Sequence, residues 1–96
     1  MRKNTALVLD SLNRGKPRRQ CNAVHTDGHI VKSYLTPVCV PHPDENDHWL
    51  ITEGGAHSVT TTVQTNGLAC GIQHDWGCKV TRVPQSEIDR IVREHY

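Results

Sequence analysis

The sequence contains no phenylalanine, its one methionine is the first residue, and its aromatic side chains are Tyr34, Trp49, Trp76 and Tyr96 alone. Apolar residues make up only 35% of the 96 positions. A core must therefore be small and built mainly from Val, Leu and Ile, near the lower size limit for one hydrophobic core without staples. No run approaches the roughly 20 apolar residues that a membrane-crossing helix needs. The opening "MRKNTALVLDSLNRGK" is too polar, and its apolar stretch too short, for a secretory leader. Both absences point to a cytoplasmic protein. Also missing are a phosphate-binding loop, a dinucleotide fingerprint and a G-x-S-x-G nucleophile elbow. A nucleophile needs a positioned base and an oxyanion hole, and the seven His stand in no such pattern. The expectation is a single domain, residues 1–96, that is not an enzyme and has no catalytic residues or cofactor.

What is present begins with charge. The net charge of +1 conceals an uneven distribution. Residues 1–19 carry Arg2, Lys3, Arg14, Lys16, Arg18 and Arg19 against Asp10, a local balance of +5. Residues 42–53 carry Asp44, Glu45, Asp47 and Glu53 with no Lys or Arg, a balance of −4. One basic end and one acidic loop follow. Four cysteines, Cys21, Cys39, Cys70 and Cys78, would suggest disulfides in an exported chain; without an export signal, reduced thiols are expected.

Local signals give an α+β order. Asn4 or Thr5 can cap a first helix over about residues 5–14, with Val8, Leu9 and Leu12 on one face and Gly15 and Pro17 ending it. "CNAVHTDGHIVKSYLTPVCV" predicts two strands joined by a type I′ turn at Asp27-Gly28. Val31, Ser33 and Leu35 should face one side, and Ile30, Lys32 and Tyr34 the other. Pro37 fits a bulge or an edge. After the turn-rich "PHPDEND", "HWLIT" completes a three-stranded antiparallel meander over about residues 20–52. "HSVTTTVQTNGLACG" is read as a helix start near Ser58–Thr61 whose hydroxyls satisfy free N–H groups, with a weak point at Asn66-Gly67. "CKVTRV" reads as a short strand or an extended connector. The last helix, capped by Ser86, carries Ile88, Ile91, Val92 and His95 on one stripe.

"TDGHIVKSY" (Thr26 to Tyr34) and "HSVTT" (His57 to Thr61), following a short helix that ends in Gly, resemble a family of small phage and prophage proteins for which no activity is established. The resemblance spans about residues 5–70. It implies that Asp27-Gly28, Ser33-Tyr34 and Ser58-Val59-Thr60-Thr61 are family features, and it carries no catalytic residue. The acidic loop at 42–48 and the final helix depart from the pattern, so functions particular to this chain belong there.

The expectation is thus a small phage-type accessory protein, in the cytoplasm of an infected or lysogenic bacterial host. It acts as a modulator or inhibitor by binding a protein of host or phage, with Tyr34 and Trp49 as interface anchors because aromatics dominate binding hot spots. The alternative is a nucleic-acid module using Arg14, Lys16, Arg18 and Arg19, since the order helix, three strands, helix resembles the double-stranded-RNA-binding domain. That domain, however, has lysines where this chain has "HSVTT". A second alternative is a zinc domain, for which Cys39-x2-His42 and Cys70-x3-His74-x3-Cys78 supply ligand types without a standard spacing. Because Cys39 and Cys70 also fit as small buried hydrophobes, the expectation is that no metal ligands are present.

Overall fold

The computed structural model describes residues 3–15, 17, 24–53 and 59–96. The chain runs α1 (Lys3–Asn13), β1 (His25–Thr26), β2 (Val31–Ser33), β3 (Thr36–Pro41), β4 (His48–Thr52), α2 (Val59–Cys70), β5 (Lys79–Val83) and α3 (Gln85–His95). The α+β class is as expected. The sheet, though, has five strands in the order β1-β2-β3-β4-β5 rather than three, with β4 and β5 parallel. Parallel neighbours need a long crossover, and residues 53–78, carrying α2, supply it. "KVTRV" is therefore a full strand paired along its length, from His48↔Lys79 to Thr52↔Val83.

Two turns differ from expectation. The chain from Ile30 to Val40 is not one strand, because Tyr34 adopts a left-handed φ of 55° and the chain reverses over Tyr34-Leu35, pairing Ser33 with Thr36. Leu35 is thereby exposed instead of joining Val31 and Ser33 on the inner face. The link between β1 and β2 is a four-residue loop, since Thr26 pairs with Val31. Asp27 Oδ1 accepts the N–H groups of His29 and Ile30, each at 2.9 Å, so Asp27 acts through its side chain and only Gly28 has positive φ there. The register break opposite Pro37, between Val31↔Cys39 and Lys32↔Pro37, is a bulge.

Alternation distributes apolar residues to both faces of the sheet. On one face Val31, Val38, Cys39 and Ile51 meet Val8, Leu9 and Leu12 of α1 and Leu68 and Ala69 of α2. On the other, Ile30, Val40 and Leu50 meet Ile88 and Ile91 of α3. Three layers are thus closed with very few large side chains. Burying the two isoleucines of α3 contributes about 3–6 kcal/mol in apolar transfer.

The helix ends carry further corrections. α1 begins at Lys3, so Asn4 and Thr5 lie inside it and any cap lies outside the described residues. Its C-terminus behaves as expected, with Gly15 at φ +67° and its N–H on Leu12 O at 3.0 Å. α2 begins at Val59; Thr60 and Thr61 are in its first turn, and Ser58 lies outside the described residues. Gly67 does not break α2, because burial of Thr65, Leu68 and Ala69 on either side holds it in place. Past Cys70 the helix widens into a π turn at Gly71–Asp75, closed by Trp76 N–H to Gly71 O at 3.3 Å. α3 is entered through Pro84, whose carbonyl accepts the N–H of Glu87 at 3.0 Å, and Ser86 sits inside the helix without capping it. Ile88 and Ile91 are buried as expected, while His95 is exposed.

Candidate functional site

The two expected anchors stand at opposite ends of β3. Tyr34 lies beside Thr36, where β3 starts, and Trp49 pairs with Pro41, where it ends. Five residues of strand separate these ends by about 16 Å, so the two aromatics do not form one patch. Tyr34 is 58% exposed and Leu35 86%. The Tyr34 carbonyl is fixed at 2.7 Å from Nε2 of the buried His25, so the tip is held from within the sheet. A non-glycine residue in the left-handed region costs about 1–2 kcal/mol, and here that cost accompanies an outward-pointing aromatic ring.

Trp49 is half-buried. Its ring meets Trp76 edge-on, with centroids 5.7 Å apart and planes at 65°. The π turn sets Trp76 in that position. The two rings, with Leu12, Asp47, Asp75 and Cys78, line a surface cleft of about 370 Å³. Burial, and then the negative charge of Asp47, push the Cys78 thiol above its ordinary pKa. Cys39 lies in the core, where desolvation pushes its thiol up much further. Cys70 is exposed, and Cys39, Cys70 and Cys78 are all free thiols. Cys21 lies outside the described residues.

Of the basic segment only Arg14 is described, and it pairs with Asp10 at 3.5 Å; Lys16, Arg18 and Arg19 lie outside the described residues. The five-stranded sheet with its parallel crossover also departs from the helix, three strands, helix order that prompted the RNA-binding comparison.

The acidic loop holds a constellation that the sequence reading did not assemble. β3 and β4 continue one step past Pro41↔Trp49, with His42 N–H donating to His48 O at 2.8 Å. His42 and His48 therefore face each other across the base of the loop, their rings stacked at 4.7 Å and 16°. Between them comes Glu45, whose Oε2 lies 3.3 Å from His42 Nε2 and 3.2 Å from His48 Nδ1. Asp47, at φ 55°, turns the chain back into β4. His48 is 7% exposed at the side chain, and its Nε2 is 2.7 Å from the Thr81 hydroxyl of β5. Its Nδ1 is buried and, though close to Glu45, out of line for a hydrogen bond. On the other ring, His42 Nδ1 accepts the N–H groups of Asp44 and Glu45, both at 3.1 Å.

Among the described residues this is the one group of three or more His, Cys, Asp or Glu side chains close enough to share an ion. The spacings proposed from sequence fail for a geometric reason. Cys39 packs toward α1 and α2, whereas His42, three positions on, falls on the opposite face. Cys70, His74 and Cys78 are spread over the end of α2, the π turn and the chain beyond it, where Gly77 is left-handed, and they do not form a group close enough to share an ion. Glu45 and His48 could have been found from equal spacing: His42 and His48 are equidistant from Glu45 in a hairpin loop. Comparison with family models, curated proteins and solved structures finds no match.

Proposed function

We propose that this is a phage-type accessory domain that catalyses nothing and works by binding a protein of the host or the phage, in the cytoplasm of the infected or lysogenic cell, with Tyr34 as its anchor. One observation supports the reading above others: the β2–β3 tip presents Tyr34 and Leu35 together, largely exposed, on a backbone fixed by the His25 hydrogen bond. A backbone already fixed at the tip need not be ordered when the ring inserts into a pocket, so more of its burial appears as affinity. Trp49 belongs to the cleft with Trp76 and is not part of this contact.

The test is quantitative capture of partners with the wild-type chain, Tyr34→Ala and Leu35→Ser, followed by titration of the partner retained. Tyr34→Ala should weaken that complex by about 2 kcal/mol or more, roughly 30-fold, while the fold is unchanged. Submicromolar binding to duplex DNA or RNA at about 0.15 M salt, removed by substituting Arg18 and Arg19 but not Tyr34, would overturn the reading.

A further inference from the structure

We propose that His42, Glu45 and His48 are ligands for one divalent transition-metal ion of the zinc class, held at the base of the acidic loop. The donor set is two imidazoles and a carboxylate, which suits zinc and its neighbours; hard cations such as calcium and magnesium prefer all-oxygen sites. The two carboxylate distances fit as well. Ligand atoms about 2.0–2.1 Å from a tetrahedral ion lie about 3.3 Å from each other; Glu45 Oε2 is 3.3 and 3.2 Å from the two ring nitrogens, and the three ligand atoms together lie within 4.8 Å of one another.

Burial gives an independent indication. His48 Nδ1 is inside the protein, 3.2 Å from Glu45 Oε2 and without a hydrogen-bond partner. Its other nitrogen is held by Thr81 at 2.7 Å. With Nε2–H donating to the Thr81 oxygen, the lone pair lies on Nδ1, which is how ligating histidines are commonly oriented by an outer partner. Asp44 and Asp47 add negative charge, and residues 42–53 contain no Lys or Arg to oppose a cation.

Binding requires a specific rearrangement. A neutral imidazole has one lone pair, and in His42 it faces the Asp44 and Glu45 N–H groups through Nδ1. Ligation through Nε2 moves the ring proton to Nδ1, so those two N–H groups must be released. The near-parallel rings must also tilt, because lone pairs lie in the ring planes. Residues 44–47 are exposed, so the loop can accommodate both changes.

The experiment titrates the full chain with Co2+ as a spectroscopic probe and then displaces it with Zn2+. Expected are a 1:1 end point, visible d–d bands without thiolate-to-metal charge transfer, and movement of the Asp44 and Glu45 amide resonances. Glu45→Gln, which leaves an exposed loop position isosteric, and His42→Ala should each raise the Co2+ dissociation constant by about 100-fold or more, beyond what loss of an outer-sphere partner costs. Should His42→Ala not fold, Glu45→Gln decides alone. The proposal is overturned by the lack of saturable 1:1 binding, by affinity that survives Glu45→Gln, or by a thiolate charge-transfer band.

Discussion

Removing one side chain from α3 tests whether three layers really share one thin sheet. Ile88 is fully buried against Ile30, Val40 and Leu50. Ile88→Ala deletes three carbon groups, a transfer loss of about 2.4 kcal/mol at roughly 0.8 kcal/mol each. A residual cavity of some 50 Å³ adds about 1 kcal/mol. The sum, about 3.5 kcal/mol, is a large part of the 5–15 kcal/mol typical of a domain and corresponds to a Tm lowered by roughly 15–30 °C. Ile88→Val, at about 0.5–1.5 kcal/mol, is the graded companion. Urea unfolding should be followed twice, by far-ultraviolet circular dichroism and by tryptophan fluorescence. Trp49 and Trp76 pack on the opposite side of the sheet from α3, so the two signals should shift together if β3 and β4 couple the layers. A cost below about 1 kcal/mol, or a fluorescence transition that stays in place while the helical signal moves, refutes this account of the core.

Ser86 lies within α3 and caps nothing, so Ser86→Ala should change stability by no more than about 0.5 kcal/mol; a loss near 1–2 kcal/mol by denaturant titration would restore it as a cap. Tyr34→Gly should gain about 1 kcal/mol from relief of the left-handed backbone, less the greater freedom of the unfolded chain, and still lose partner binding, which calorimetry and the capture assay read separately. Burial is the largest influence on Asp27 and raises its pKa, but the N–H groups of Ile30 and His29 together with the charge of His29 prevail, so the folded value lies below 3.8. Its stabilisation is therefore complete above the ordinary carboxylate range and declines as pH falls through the folded value; Asp27→Ala should flatten this acid arm of a plot of urea midpoint against pH. In the native protein iodoacetamide should modify Cys70 readily and Cys39 only after unfolding, as peptide mass mapping will show.

The first and last helices were legible because each has a clear apolar stripe, and Gly15 marks its end by the usual chemistry. The reversal at Tyr34-Leu35 was hidden since no Gly, Asn or Asp marks it; the left-handed residue is a tyrosine inside a run of good strand formers. β5 was ambiguous for a different reason. Its partner is β4, on the far side of a helix, and five residues reveal nothing about a parallel neighbour. The loop site is not legible in ligand spacing along the chain. His42 and His48 come together through strand register, which fixes which residues oppose each other only once Pro41↔Trp49 is known.

The crossover to β5 also predicts an order of assembly. β1 to β4 are consecutive neighbours joined by short loops, the kind of closure that takes microseconds. β5 pairs with β4 only after the connection that carries α2, and long-range parallel pairing of this kind is slow. Between those events Val31, Cys39 and Ile51 have only part of their cover. A chain stalled there would present half of its small core to solvent, so the interval before α2 docks is when this protein is most exposed to aggregation and to capture by chaperones.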